Sequence, residues 1–367
     1  MADAYSSRVE RFVAQSTTDV TALIPGTNML YFTGLSFHLG KRPIIGFFSR
    51  RGHAFIIPLL EVNKFEESAP VQARLFAWSD ADGYRQAFRD AAAYLGLDAQ
   101  AILGVDGYTM RVFEWLALAE AGIAPERMTD VGHHLMMFRA IKTEDEVARM
   151  QRAVHISEKA LETVLAGIKP GMTEREVAQR LADEQRALGA DDVAFEAIVL
   201  AGERSALPHG NPGERTFKHG DIVLIDYGCK VGNYPSDITR TFVLGTPSDD
   251  IRRMYSAVYD ANAAARAVAR PGVTWGDVDK AARDVIESYG LGAHFTHRTG
   301  HGLGLDGHEL PQIASGETHL LEPGMVFTIE PGVYIAGVGG VRIEDNMLVT
   351  ADGCQSLTSF PRELRTL

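Results

Sequence analysis

Cysteine is nearly absent from this 367-residue chain. Two thiols, Cys229 and Cys354, build neither a disulfide framework nor a thiolate metal site. Packing must therefore hold the fold, and any metal must be held by oxygen and nitrogen. Cys229 itself reads as a small buried thiol. A basic excess is absent too. With 36 Lys and Arg against 48 Asp and Glu, the formal net charge is −12, which argues against a nucleic-acid surface and gives no basic patch for a membrane. No apolar run approaches the ~18 residues of a membrane span. The opening MADAYSSRVERF is polar and amphipathic, unlike a signal peptide, so the expected setting is the reducing cytoplasm. What is there suits a globular protein: 46% hydrophobic residues, in a chain long enough for two domains with their own cores.

The first domain is expected over 1–138 as an α/β unit. Its pattern predicts a helix over 8–15 and a strand over 20–24 closed by the turn PGTN. Apolar runs at 44–48 and 53–57, separated by SRRG, predict a hairpin. Helical periodicity covers 84–95 and 110–121, with a strand at 102–105 between them. The second domain, 139–367, opens on RAIKTED and a long amphipathic helix over 144–168. Pro170-Gly171 stops that helix, and TERE caps the next one, to about residue 188.

Within this second domain, 220–243 departs from ordinary globular sequence. Ile222, Val223, Leu224 and Ile225 predict a buried strand, yet the strand runs into Asp226, and a second extended segment carries Asp237. A buried, unpaired carboxylate loses several kcal/mol of solvation, so a cation is expected beside them. The pattern then recurs. PGMTEREVAQ at 170–179 is matched by PGVTWGDVDK at 271–280, and GDIVLIDYG at 220–228 by GMVFTIEPG at 324–332. Asp226 thus corresponds to Glu330, and Asp237 has its counterpart in Glu344. Two such halves facing across a pseudo-two-fold would bring four carboxylates to one centre.

Histidines crowd the same half. His297, His301 and His308 frame the glycine-rich HRTGHGLGLDGHE, whose glycines argue against a helix and hence against a zincin arrangement. Arg342 and Glu344, two apart in VRIED, are expected on one strand face, as are Asp237 and Thr239. A polar neighbour then orients each carboxylate. Four carboxylates and one imidazole suit two divalent ions, Mn²⁺ first and Co²⁺ or Zn²⁺ as alternatives. Two ions roughly 3.5–4 Å apart can bridge a water and polarise a carbonyl, so the chemistry expected is hydrolysis.

The segments FRAIKTEDE, LPHG, DIVLIDYG, SDITRTF, TGHGLGLDGHE, TIEPG and VRIEDN together resemble the pita-bread metallopeptidases, and within them the Xaa-Pro branch of prolidase and aminopeptidase P. The resemblance spans essentially all of 139–367 and extends more weakly to the N-terminal half. It implies an α/β (α+β) fold, with a small creatinase-like N-terminal domain before a pita-bread catalytic domain. It implies that Asp226 binds one metal, that His301 and Glu330 bind the other, and that Asp237 and Glu344 bridge. Glu330 would take a proton from the bridging water. His209, His297 and His308 match the substrate-site histidines, and Arg342, with Thr239, the residues that orient the ligands. A small peptide is the implied substrate and a homodimer the implied assembly.

Two questions stay open in the sequence. Arg42, in the loop HLGKRP at 38–43, is either a solvated cation or the clamp for a substrate carboxylate, for which arginine suits better than lysine. Small bacterial prolidases resemble the second arrangement. The Asp-x-Arg-Tyr motif of small aminopeptidases P is absent from the corresponding PLLEVNKF. An Xaa-Pro dipeptidase is therefore expected ahead of an aminopeptidase P acting on longer peptides. A non-peptidase hydrolase or lyase on the same scaffold is a remoter alternative, and a binding module that reuses the fold would be expected to have lost ligands.

Overall fold

The computed structural model describes residues 2–68, 71–98 and 100–367. It divides into two compact units, Met1–Phe138 and Arg139–Leu367, each mixing helices and sheets. Among the described residues, no helix is long and apolar enough to cross a membrane.

In the first unit, α1 (Ala2–Gln15) leads to β1 (Val20–Leu23) and α2 (Thr27–Thr33). The segment PGTN, expected to be a plain turn, starts α2. Gly26 at φ 154° redirects the chain, and the residues after it bury Met29, Tyr31 and Phe32. The expected hairpin forms as β2 (Ile45–Ser49) and β3 (Gly52–Pro58), paired antiparallel. Then follow α3 (Val62–Ser68), β4 (Arg74–Trp78), α4 (Arg85–Leu95), β5 (Leu103–Val105), α5 (Val112–Glu120) and β6 (Met128–Asp130). The strands form one sheet in the order β4-β3-β2-β1-β5-β6. Its apolar residues, Ile45, Phe47 and Ile56 among them, pack with Phe88, Ala91 and Leu95 of α4 and Leu118 of α5. The helix α6 (Gly132–Ala140) follows.

The second unit opens on α7 (Glu144–Leu165), whose start is held by Thr143 and Glu146 in a reciprocal capping box. Thr173 and Glu176 repeat the device at α8 (Glu174–Ala187). The buried face of these helices, Met150, Val154, Leu161, Val177 and Leu181, packs on Val199, Val223, Ile225 and Tyr227. The strands β7 (Asp192–Val193), β8 (Ile198–Ala201), β9 (Ile222–Tyr227), β10 (Cys229–Val231), β11 (Tyr234–Pro235) and β12 (Ile238–Val243) come next. A second helix pair, α9 (Asp249–Val268) and α10 (Trp275–Ser288), starts on the side-chain caps Ser248 and Thr274. The chain finishes with β13 (Gly300–Gly302), β14 (Glu309–Ile313), β15 (Val326–Ile329), β16 (Gly332–Ile335), β17 (Gly339–Arg342), β18 (Asp345–Val349) and β19 (Cys354–Ser356).

Two sheets matter for the site: β12-β9-β8 and β14-β13-β15-β18-β19. The segment VRIED does not run as one strand. Arg342 ends β17, Asp345 begins β18, and Ile343-Glu344 is the crossing between two sheets. At that crossing the Glu344 amide donates to the Thr239 carbonyl at 3.0 Å, and the Asp237 amide donates to Asn346 Oδ1 at 3.1 Å. The seam therefore sets Asp237 beside Glu344. Behind it lies Arg240, 1% exposed. Its five N–H donors all find acceptors: the carbonyls of Thr239, Glu344, Phe360 and Pro361, and Asp345 Oδ1. Asp345 also accepts from Arg362 at 2.6 Å and Asn262 at 3.1 Å. Burial pushes its carboxyl up, but the Arg240 and Arg362 guanidiniums outweigh it and hold the pKa below the ordinary value.

Removing one partner of such a buried pair leaves a charge without compensation. Arg240→Met is expected to cost roughly 3–5 kcal/mol in urea unfolding of the metal-free protein. A loss below about 1 kcal/mol, the range of a surface pair, would show that Arg240 does not clamp the seam.

Candidate metal centre

Each acidic side chain of the site enters from a strand end. Asp226 lies in β9 opposite Thr239 of β12, Asp237 immediately precedes β12, Glu330 follows β15, and Glu344 occupies the crossing before β18. His301 is the middle residue of β13. Glu330 is fixed by its amide, which donates to the Thr299 carbonyl at 2.7 Å. The His301 amide donates to Thr328 Oγ1 at 3.1 Å. These five residues share one cavity of about 550 Å³ with Phe195, Ile198, Pro208, His209, His297, Arg298, His308 and Arg342.

Ligand atoms of Asp237, His301 and Glu344 lie within 4.8 Å of one another. His301 Nε2 is 3.4 Å from Glu330 Oε1 and 3.7 Å from Asp237 Oδ2. Because His301 Nδ1 meets the Gly302 carbonyl at 3.0 Å, and a carbonyl only accepts, Nδ1 carries the proton. Nε2 then turns a lone pair, not a proton, towards the carboxylates. Burial drives the His301 pKa down to about 3, so the ring is neutral. Asp226 Oδ1 is buried without a hydrogen-bond partner. Acceptor atoms of all five residues face this centre, and among the described residues their side-chain oxygens receive donors only at Asp226 Oδ2, Glu344 Oε2 and Glu330 Oε1. A divalent cation supplies what is missing, and these residues fit one.

The electrostatics agree. Burial, then the neighbouring carboxylates Glu344 and Asp226, pushes Asp237 well above the ordinary range. Glu344 is raised in the same way, by burial and then by Glu330 and Asp226. Burial is also the main cause that lifts Glu330, to about 7. The protein's own donors orient these groups without neutralising the set. Arg342 Nη2 donates to Asp226 Oδ2 at 2.5 Å, and Arg342 Nε to Thr239 Oγ1 at 3.1 Å. Thr239 Oγ1 in turn donates to Glu344 Oε2 at 2.7 Å.

The histidines divide. His308 and His209 are exposed at the cavity, the His308 ring 4.0 Å from that of His301. His297 is spent inside the protein. Its Nδ1 donates to the Arg298 carbonyl at 2.7 Å. Tyr334 OH accepts from Arg342 Nη1 at 2.7 Å and so gives its own proton to His297 Nε2, at 2.9 Å. His297 lines the same cavity with both ring nitrogens bonded to protein partners in this arrangement. Arg42 stands in the first unit, where Nε and Nη2 bind Asp80 at 2.8 and 2.5 Å.

Sequence reasoning missed three contributors. Tyr334, in GVYIAG, has the spacing of any core aromatic. Arg298 sits between His297 and His301, whose imidazoles carry the stronger chemical signal. The third is the anchor of the His308 loop, where the buried Glu309 accepts from Arg139 at 2.5 Å and Lys142 at 2.6 Å. FRAIKTEDE carried that signal without its partner being visible.

Residues 148–351 match metallopeptidase family M24. An uncharacterized peptidase of Bacillus subtilis (strain 168) is 35% identical over 358 residues, 97% of this chain and 98% of its own. Among solved structures, the Xaa-Pro dipeptidase from Bacillus anthracis has a TM-score of 0.90 at 32% identity, with both chains fully covered. The X-Pro aminopeptidase from Thermotoga maritima MSB8 has 0.85 at 29%, covering 98% of this chain and 100% of that one.

Metal removal should make stability fall with pH. Without an ion, Glu330 has an unfolded pKa near 4.5 and a folded one of about 7. The folded state keeps a proton that the unfolded state releases, so its contribution is full below 4.5 and lost as pH rises through 7. The gap in thermal midpoint between Mn²⁺-loaded and EDTA-treated protein should widen from pH 5 to pH 8. A gap independent of pH would show that the carboxylates carry no excess charge.

Proposed function

The chain belongs to metallopeptidase family M24, and from that premise we propose that it is an Xaa-Pro dipeptidase, hydrolysing the bond before proline in dipeptides. The observation that carries the proposal is the cavity itself, where an acceptor-rich cluster of four carboxylates and one imidazole shares its walls with Phe195, Ile198 and Pro208. The acidic floor suits metal-assisted hydrolysis, and the apolar wall suits the pyrrolidine ring. The likeness to a dipeptidase at a TM-score of 0.90 supports the dipeptide reading.

Two divalent ions fit the set: Asp226 would hold one, His301 and Glu330 the other, and Asp237 and Glu344 both, with Mn²⁺ the first candidate. Bound there, such ions supply Lewis-acid polarisation of the scissile carbonyl and an activated water at neutral pH. The protein's residues do the rest. Glu330 takes the proton of the attacking water on a carboxylate oxygen and passes it to the prolyl nitrogen as that bond breaks. His308 and His209, exposed towards the cavity, donate to the oxygen on which charge develops. Thr239 and Arg342 hold Glu344 and Asp226 in place while charge shifts. Burial of the floor keeps competing water away and strengthens each of these contacts.

The test is release of proline from Ala-Pro beside release of alanine from Ala-Pro-Ala, both with added Mn²⁺. Faster dipeptide turnover is expected, abolished by EDTA and restored by Mn²⁺. Preference for the tripeptide would make the protein an aminopeptidase P with the same metal chemistry. Full activity in EDTA, with no metal found in the protein, would remove the metallopeptidase mechanism.

A further inference from the structure

One residue lining the cavity carries a guanidinium that no described residue engages. Arg298 lines it together with the four carboxylates, yet among the described residues no acceptor takes a hydrogen bond from its side chain and no acid pairs with it. Arg342, the other arginine of the cavity, is fully committed to Asp226, Tyr334 and Thr239. Arg298 is thus not the counter-ion of the carboxylate cluster. Its charge is nevertheless felt at His301, His308 and Glu330, where burial acts first.

The base of this side chain is fixed on both sides. Before it, the His297 carbonyl accepts from Arg283 Nη2 at 2.6 Å. After it, the Thr299 amide and hydroxyl donate to Asp279 Oδ1 at 3.0 and 2.7 Å. Arg283 and Asp279 are bonded to each other at 2.6 Å, so α10 grips the segment at two points. Arg298 therefore presents an unbonded head on a backbone anchored at both neighbours, which lowers the ordering cost of binding.

A dipeptide cleaved before its last residue carries its carboxylate one residue beyond the scissile bond, at most about 3.3–3.6 Å of chain per residue. That anion must be met inside the same cavity. We propose that Arg298 receives the α-carboxylate of the dipeptide and is the residue that selects dipeptides over longer substrates, an inference that rests on the dipeptidase reading above. A planar guanidinium matches a carboxylate through two parallel hydrogen bonds. A longer peptide places a neutral amide there and leaves the cation unanswered. The site makes better sense of this task than Arg42, whose Nε and Nη2 are already bonded to Asp80.

The experiment compares kcat/KM for Ala-Pro, Ala-Pro amide and Ala-Pro-Ala in wild type, Arg298→Ala, Arg298→Lys and Arg42→Ala, with bound Mn²⁺ measured for each. In Arg298→Ala the ratio of Ala-Pro to Ala-Pro amide should fall roughly ten- to a hundredfold, the worth of a charge-assisted hydrogen-bond pair. The fall should come mainly through KM, with wild-type metal content. Arg298→Lys should restore part of the ratio by charge alone. An unchanged ratio in Arg298→Ala overturns the proposal, as does a loss confined to Arg42→Ala. So does loss of bound metal with both substrates slowed alike, because Arg298 would then serve the metal centre. Wild type favouring Ala-Pro-Ala overturns the dipeptidase reading itself, before any variant is compared.

Discussion

Repulsion among four carboxylates held in one buried pocket governs this molecule. Asp226, Asp237, Glu330 and Glu344 line a single cavity, and three of them are held well away from their ordinary ionisation by burial and by each other. A protein that wanted only stability would surround them with cations. Here Arg342 touches one oxygen of Asp226, Thr239 one oxygen of Glu344 and Thr328 one oxygen of Glu330. These contacts aim the carboxylates and leave their charge unspent, so affinity for a divalent ion is stored in the fold as unrelieved strain of charge.

Holding such a set in place needs rigidity elsewhere, and the structure supplies it one layer back. Arg240 gathers carbonyls from the strands on either side of the ligands and from the tail. Asp279 and Arg283 fix the backbone around His297 and Arg298. Arg139 and Lys142 pin Glu309, next to His308. All three devices are buried or partly buried ion pairs behind groups that face the cavity. Each converts the cost of a desolvated charge into a fixed position for its neighbour.

The ligand residues were legible because chemistry made them conspicuous: an acid at the end of Ile222–Ile225 has no reason to be there unless a cation answers it. The second of the capped helices was legible because Thr173 sits three residues before a glutamate, whereas the same device at Thr143 came to light only in the fold. Other features depend on contacts that no local pattern encodes. VRIED reads as one strand, but the pull of Thr239 on the Glu344 amide carries the chain from one sheet to another in its middle. His297 looks like a free imidazole until Tyr334, far along the chain, occupies its Nε2. Arg298 and Arg42 are both plain arginines beside a histidine or a lysine. Only the fold shows that one is bonded to an aspartate and the other faces a cavity.

The clamp at Arg240 also orders events in time. Two of its five acceptors are the carbonyls of Phe360 and Pro361, and Arg362 completes the pair on Asp345. Every ligand precedes those residues in the chain. On the ribosome, the carbonyls and the second guanidinium that complete this clamp arrive only with residues 360–362, after every ligand has been made.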